Sequence, residues 1–345
     1  MNETRKSRNI SINRSLVVIV IIGAFALGIF VGRGSWLFGT GAESRTETPY
    51  RLPSEDFRYI RQSLQQEAPA TGNKNRELKP FRYKINALIE QKIDEEAASS
   101  VSVYFRDLDN GNRFGIREQD LFSPENQLKL PLLIAYFKWA ETNPLVLRKK
   151  LTLTAGERSE YRFLKPPSVI QQGTAYSVND LLFRMIAYGD NDAYALLAAN
   201  IPPRRLQTIN KDLYVNYDPS KKDDFLSLSS YASFFRVLFN ASYLSEEMSE
   251  KALRYLARSS FKNGMASAVP PEIEVANKVG ERAIAGPTED EVLQLHEFGI
   301  IYHPRRPFLL GITVRGPNYE QLAETIRDVT RLIYQEVDAQ TGEEP

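Results

Sequence analysis

The chain has 345 residues but no cysteine and only two histidines, His296 and His303. It therefore has no disulfide, no thiol nucleophile and no thiolate metal site. A histidine-based triad or zinc site would have to be built from these two histidines. Its 44 basic residues are nearly balanced by 43 acidic ones. That balance lacks the basic excess that neutralising a nucleic acid backbone requires. We accordingly predict no metal, no cofactor and no nucleic-acid partner, and a general base other than histidine.

Long hydrophobic runs are also scarce, and the one that stands out is Ser15–Gly32, which contains no charged residue. As a helix it would be roughly 27 Å long, close to the roughly 30 Å of a bilayer's hydrocarbon core. Basic residues are more frequent before the run than after it. This asymmetry predicts a cytoplasmic segment at 1–14, a transmembrane signal anchor at 15–32 and export of the remainder. A cleaved signal peptide is the competing interpretation.

Within this run, Ala24, Gly28 and Gly32 recur at every fourth position. The spacing places small side chains on one face of a helix, where they allow close pairing of two helices. It thus suggests a homodimer, although glycine and alanine are frequent in membrane helices in any case. Residues 33–79 are rich in Gly, Ser, Thr and Pro, which is typical of a linker. We therefore expect the folded domain to occupy residues 80–345.

The hydrophobic periodicity of this domain changes twice along the chain. Strand-like segments come first, a helical block follows over about 124–268, and strand-like segments return before a last helix that begins after Asn318. The predicted strands are 100–107, 113–116, 274–282, 296–304 and 308–316. This order predicts an α+β fold: a five-stranded antiparallel sheet, flanked by the terminal helices, with an inserted helical subdomain.

Three short motifs fall where the helical block would meet the sheet. They read Asn126-Gln127-Leu128-Lys129, Gly189-Asp190-Asn191 and Lys278-Val279-Gly280. In order and in placement they resemble the S-x-x-K, S-D-N and K-T-G motifs of the class A β-lactamases and penicillin-binding proteins, which are serine hydrolases. The resemblance extends from Phe81 to the final helix. It implies the fold of that family and a crevice between the helical block and the sheet.

The resemblance also implies what is missing. In such enzymes the first serine is the acylated nucleophile, the serine of the second motif relays a proton, and the threonine of the third helps to hold the substrate carboxylate. Here the corresponding residues are Asn126, Gly189 and Val279. A carboxamide is a poor nucleophile and glycine has no side chain. All three hydroxyls are absent, whereas the polar partners Lys129 and Asn191, like Lys278, remain.

Two interpretations of this pattern stay open. In the favoured one the pocket is kept, acyl transfer is lost, and the Lys129 ammonium is held by the side-chain oxygens of Asn126 and Asn191. In the other, a nearby hydroxyl such as that of Ser123 replaces the nucleophile, although an N-cap role explains Ser123 more simply. Efficient deacylation is not expected in either case, because the stretch 210–225, where such enzymes carry a glutamate, has none.

The sequence therefore predicts a membrane-anchored, extracytoplasmic domain of a bacterial cell envelope that has lost catalysis. Its degenerate family site would comprise Asn126, Lys129, Gly189 and Asn191. Asn191 would also contact a peptide-like or β-lactam-like ligand, or a protein partner, together with Lys278, Val279 and Gly280. The alternative is an active serine-hydrolase-type acyl transfer to β-lactams or peptidoglycan stem peptides through a non-standard nucleophile. A structural scaffold that needs no ligand is a third possibility.

Overall fold

A computed structural model describes residues 57–61, 79, 81–122, 128–154, 159–213, 226–285 and 291–342. The predicted anchor, most of the predicted linker and Asn126 lie outside these ranges. The described residues all belong to one unit, Pro53–Pro345. Across the described ranges, no helix combines the length and apolar character that crossing a bilayer requires.

The centre of the domain is an antiparallel sheet of five strands in the order β2-β1-β9-β8-β7. Its strands are β1 Ser100–Asp107, β2 Arg113–Ile116, β7 Val275–Ala285, β8 Glu291–Ile301 and β9 Phe308–Gly316. The predicted five-stranded antiparallel sheet is thus confirmed. The bounds predicted for β8 were wrong, because the ladder between β7 and β8 begins at Glu291, opposite Ala285, and ends at Ile301.

Two helices cover one face of this sheet, α1 Arg82–Asp94 and α8 Tyr319–Gly342. Asn318 caps α8, since its Oδ1 accepts a hydrogen bond from the backbone N–H of Glu320 at 2.8 Å. The helices bury Ile85, Ile89, Leu322, Ile326, Val329 and Ile333 in one cluster with the sheet. These apolar residues recur three or four positions apart, and they form the face of each helix that packs on the sheet.

Among the described residues, a block of six α-helices lies between the first strands and β7. The helices are α2 Lys129–Thr142, α3 Val178–Phe183, α4 Asn191–Asn200, α5 Pro203–Asp212, α6 Leu228–Phe239 and α7 Glu246–Ala257. Serine side chains cap three of them, with Ser177, Ser227 and Ser245 each accepting a bond from the backbone three residues on. The inserted helical subdomain agrees with the prediction from periodicity.

Two short ribbons complete the block and were not predicted. One pairs β3 Leu121–Phe122 with β6 Leu226–Ser227, and the other pairs β4 Lys150–Thr152 with β5 Ala175–Ser177. Strands of two or three residues show no period in the sequence, because a single alternation cannot be distinguished from chance.

Five residues of the predicted linker, Phe57–Arg61, pack on this domain. The backbone N–H groups of Tyr59 and Ile60 donate to Glu250 Oε2 at 2.7 and 3.1 Å. The Tyr302 hydroxyl donates to the Tyr59 carbonyl at 2.9 Å. The segment thus contacts both α7 and the residue that follows β8. It belongs to the folded domain although it lies outside the predicted bounds of 80–345.

Candidate active site

The structure describes Leu128 and Lys129 of the first motif, and Lys129 begins α2. Its side chain is almost fully buried, with 1% of the residue exposed. Lys129 Nζ donates to the Gly189 carbonyl and to Asn191 Oδ1, both at 2.6 Å. The predicted contact with Asn191 is therefore present. Neither acceptor carries a proton that it could transfer to or from the lysine.

The second motif forms a turn between two helices. A π-helical segment, Arg184–Tyr188, continues α3 and ends at Gly189, whose φ of +77° lies in the left-handed region that favours glycine. A Cβ added at Gly189 would meet no atom within 4 Å. A serine at this position would therefore have room for its side chain but would strain the backbone.

Asp190 then organises the start of α4. Its Oδ1 accepts the backbone N–H groups of Asp192 and Ala193 at 2.9 and 3.0 Å, and its Oδ2 accepts that of Ile170 at 2.9 Å. The side chain is fully buried. This carboxylate therefore fixes the loop from which Gly189 and Asn191 reach Lys129.

The third motif lies in the middle of β7, opposite residues of β8. Lys278 is 3% exposed, and burial lowers its pKa to about 8. Gly280 faces the buried ring of His296, and a Cβ here would come within 2.3 Å of its Nε2. The glycine of this motif is thus required by the packing of the histidine, whatever its role toward a ligand.

The positive charge of Lys278 also affects the protonation of Lys129. Burial first, and then the positive charge of Lys278, hold the pKa of Lys129 well below its ordinary value, while the carboxylates of Asp190 and Glu281 act in the opposite direction. A depressed pKa on a lysine favours the neutral amine. Folding therefore brings together two lysines that both disfavour their charged forms.

A segment that we call the crevice strap, Ser159–Lys165, lines two cavities of the crevice. On one side lies the Lys278 chamber, a cavity of about 380 Å³ that Gly189, Lys278 and Val279 line together with the strap's Phe163. On the other lies the Lys129 chamber, of about 440 Å³ and lined in part by Lys129, Asn191 and Glu281 with the strap's Arg162. The polar residues of the three motifs thus face two separate cavities.

Several residues of this site were not predicted from the sequence. Ser259 and Ser260 line the Lys278 chamber, and the Ser260 N–H donates to the Ala187 carbonyl at 2.7 Å, close to Gly189. Glu281 directly follows the third motif, and its carboxylate holds the crevice strap. That position alone could have drawn attention to it, because a side chain next to Lys278-Val279-Gly280 borders the same crevice.

The two histidines lie close together in the sequence but make different contacts. His296 is fully buried, with its Nδ1 at 3.3 Å from Gln294 Nε2, whereas His303 contacts Asp338 near the end of α8. Within the described part of the chain, no three His, Cys, Asp or Glu side chains are grouped as a metal site would require. Both histidines therefore have structural contacts.

A sequence profile of the β-lactamase enzyme family matches residues 80–337. The chain belongs to the β-lactamase enzyme family. The match covers both walls of the crevice and all three motifs, so the resemblance seen in the motifs is confirmed. No protein of curated function matches the sequence.

Solved structures of β-lactamases and a penicillin-binding protein share the fold at low identity. A PBP-A mutant in an acyl-enzyme complex with penicillin G has 17% identity and a TM-score of 0.61, covering 76% of this chain and 99% of that one. A β-lactamase from Xanthomonas campestris has 17% identity and a TM-score of 0.62, covering 74% and 97%. A class A β-lactamase from Mycobacterium abscessus has 19% identity and a TM-score of 0.61, covering 74% and 98%. At these identities the comparison supports the β-lactamase fold alone, and the roles of individual residues stay predictions.

Proposed function

We propose that this β-lactamase-family domain has lost acyl transfer and binds a small peptide-like ligand with a carboxylate in its crevice. The observation that carries the first part is the pairing of Lys129. Its Nζ is bonded to a backbone carbonyl of Gly189 and to the carboxamide of Asn191. The sequence supplies asparagine at position 126 in place of the nucleophile. A lysine held by two neutral oxygens acts as a structural link between α2 and the loop before α4.

The second part rests on the Lys278 chamber. Three lysines line it, Lys165, Lys262 and Lys278, and no carboxylate is among its described lining residues. Burying an ammonium costs free energy that an anionic ligand can offset through a charge-assisted hydrogen bond. Phe163, Tyr188 and Phe261 add apolar surface to the same cavity. The chamber therefore suits a ligand with one anionic end and an apolar body.

We expect a short peptide with a free terminal carboxylate to bind more tightly than the same peptide with a terminal amide. Replacing Lys278 with methionine should weaken binding of the carboxylate form about ten- to hundredfold, since one charge-assisted hydrogen bond is lost. Titrations followed by NMR measure both peptides. Lys211→Met, which removes an exposed lysine of α5 outside the chamber, is the matched control.

Equal affinity for the carboxylate and amide peptides would contradict this assignment. So would a Lys278→Met variant that binds the carboxylate peptide as well as the parent protein does.

An active acyl transferase is the second candidate, and one observation favours it. Ser259 and Ser260 place two hydroxyl-bearing residues in the chamber that Lys278 lines, beside the glycine of the second motif. A hydroxyl near a lysine of lowered pKa is the arrangement that lysine-activated serine chemistry requires. Ser123, the replacement considered from sequence, lies outside the described residues. A covalent adduct that disappears in Ser259→Ala or Ser260→Ala would identify this activity.

We further propose that residues 15–32 anchor the domain in a bacterial cell membrane, with 1–14 in the cytoplasm and the domain outside. The support is the uncharged run and the basic residues before it. The full chain is expected in the membrane fraction, and its domain should be degraded by protease added to spheroplasts. Deletion of 15–32 should release the protein from that fraction. A membrane-associated product after this deletion would contradict the anchor.

The same run is the basis for a proposed homodimer through Ala24, Gly28 and Gly32. Its support is the four-residue spacing in the sequence. Cross-linking of the full chain in membranes should yield a dimer that is lost when Gly28 is replaced with leucine, because the larger side chain separates the helices.

A further inference from the structure

The crevice strap is attached to the sheet by Glu281 of β7. The backbone N–H of Phe163 donates to Glu281 Oε2 at 2.9 Å, and that of Leu164 donates to Oε1 at 3.1 Å. Each carboxylate oxygen thus receives one of two consecutive amides. Hydrogen bonds to a charged acceptor are stronger than neutral ones. A single side chain therefore fixes two neighbouring residues of the strap.

Aromatic packing holds the same part of the strap. The ring of Phe163 is stacked on that of Tyr319, with centroids 5.3 Å apart and planes 10° from parallel. Phe261 meets the ring of Phe163 edge-on at 6.2 Å. Aromatic pairs of this kind add to the free energy of simple burial. The strap's aromatic side chain thus bridges residues that precede β7 and residues of α8.

The strap's other end is attached to the helical wall. The Ser159 N–H donates to Asp192 Oδ1 at 3.0 Å, and the Asn191 N–H donates to the Tyr161 hydroxyl at 3.0 Å. Arg162 adds an ion pair with Glu291 of β8, which is exposed on both sides and contributes little. The segment therefore spans from the loop of the second motif to the strand of the third.

We propose that the crevice strap is an autoinhibitory contact that keeps Lys129 and Lys278 in separate chambers and must leave Glu281 before one ligand can meet both. The strap is a bent segment with neither helix nor strand, and the walls of the crevice bind its consecutive amides and its aromatic side chain. Release of these contacts would merge the two cavities. This inference does not depend on which ligand binds, or on whether acyl transfer occurs.

The test uses Glu281→Gln, which keeps the shape of the side chain but places an NH₂ group against one of the two amide donors. We expect exchange of the Phe163 and Leu164 amides with deuterium to become about ten- to hundredfold faster. Acetylation of Lys129 by sulfosuccinimidyl acetate, followed by peptide mapping, should accelerate by a similar factor. Glu324→Gln removes an exposed carboxylate of α8 and should change neither rate.

A second variant separates opening of the strap from the loss of charge near Lys129. Phe163→Ala removes the stack on Tyr319 and leaves Glu281 in place. It should accelerate both Leu164 amide exchange and Lys129 acetylation. Unchanged amide exchange in both variants would show that these contacts do not hold the strap. Faster exchange with unchanged Lys129 acetylation would show that the strap does not guard the site. Either result overturns the proposal.

Discussion

Replacement of Asp190 with alanine is expected to lower the free energy of unfolding by about 3–4 kcal/mol. The loss has two physical sources. The N-cap of α4 disappears, since Oδ1 no longer accepts the N–H groups of Asp192 and Ala193. The buried Ile170 N–H also loses its acceptor, Oδ2. Urea unfolding at neutral pH measures the difference.

Asp190→Asn supplies the graded control for this prediction. The carboxamide can keep one oxygen on the N-cap, but its NH₂ group faces a second donor at Ile170, so an intermediate loss is expected. An alanine variant within about 0.5 kcal/mol of the parent protein would contradict the structural role, since only exposed substitutions are normally that mild. The aspartate of the second motif would then need another explanation.

Replacement of Lys278 with methionine is expected to stabilise the domain by about 3 kcal/mol at pH 7. The cause is the pKa of Lys278, which burial lowers to about 8 from an ordinary value of 10.5. A lysine with a lowered folded-state pKa binds protons more weakly in the folded than in the unfolded chain. Its destabilising contribution is therefore complete below pH 8 and is relieved as the pH rises toward 10.5. Methionine avoids that cost.

The lowered pKa of Lys278 also sets the sign of a pH dependence. The difference in free energy of unfolding between Lys278→Met and the parent protein should shrink between pH 8 and 10.5, as Lys278 loses its proton in the unfolded chain as well. Buried tyrosines with raised pKa values, such as Tyr231 and Tyr302, lower the stability of both chains near pH 10, so the two chains are compared at each pH. Urea unfolding at pH 7 and pH 10 measures both chains, with Lys211→Met as the exposed control. A Lys278→Met variant that is less stable than the parent protein at pH 7, by a difference that is unchanged at pH 10, would contradict this account.

The parts of the fold that the sequence predicted well are those with strong local signals. Ser100–Asp107 and Arg113–Ile116 were predicted with the bounds that the structure shows, because alternating apolar residues flank an Asp-Asn-Gly turn. Asn318 predicted the start of α8, because asparagine is a preferred N-cap residue. The start of β8 was missed because it depends on pairing with the far end of β7, which no local pattern records.

The residues of the candidate site also differ in how well the sequence predicted their contacts. The resemblance of the motifs, together with the acceptors that a buried ammonium needs, predicted that Asn191 would accept from Lys129, and the 2.6 Å contact is present. The crevice strap had no periodicity to reveal it, and its attachment to Glu281 joins residues more than a hundred positions apart. Asn126, on which the loss of the nucleophile rests, lies outside the described residues. The proposed loss of acyl transfer therefore rests on the presence of asparagine at position 126 in the sequence, not on its position in the structure.

Restoring the missing hydroxyls tests whether their absence accounts for the proposed loss of acyl transfer. Asn126→Ser alone is expected to restore little, because Gly189 and Val279 would still lack theirs. Adding Gly189→Ser and Val279→Thr supplies all three positions of the motifs. The serine at position 189 must adopt a φ near +77°, which costs about 1–2 kcal/mol for a residue with a side chain. The triple variant therefore tests whether the three hydroxyls restore acyl transfer, and it is expected to be less stable because of the strain at position 189.

We propose that this β-lactamase-family domain does not form an acyl-enzyme, and its intact mass after incubation with penicillin G is the decisive measurement. The domain is compared with its triple variant and with a β-lactamase-fold protein that acylates. We predict that the mass of the unaltered domain stays that of the free chain at every time. A stoichiometric increase by the mass of one penicillin on the unaltered domain would contradict the account.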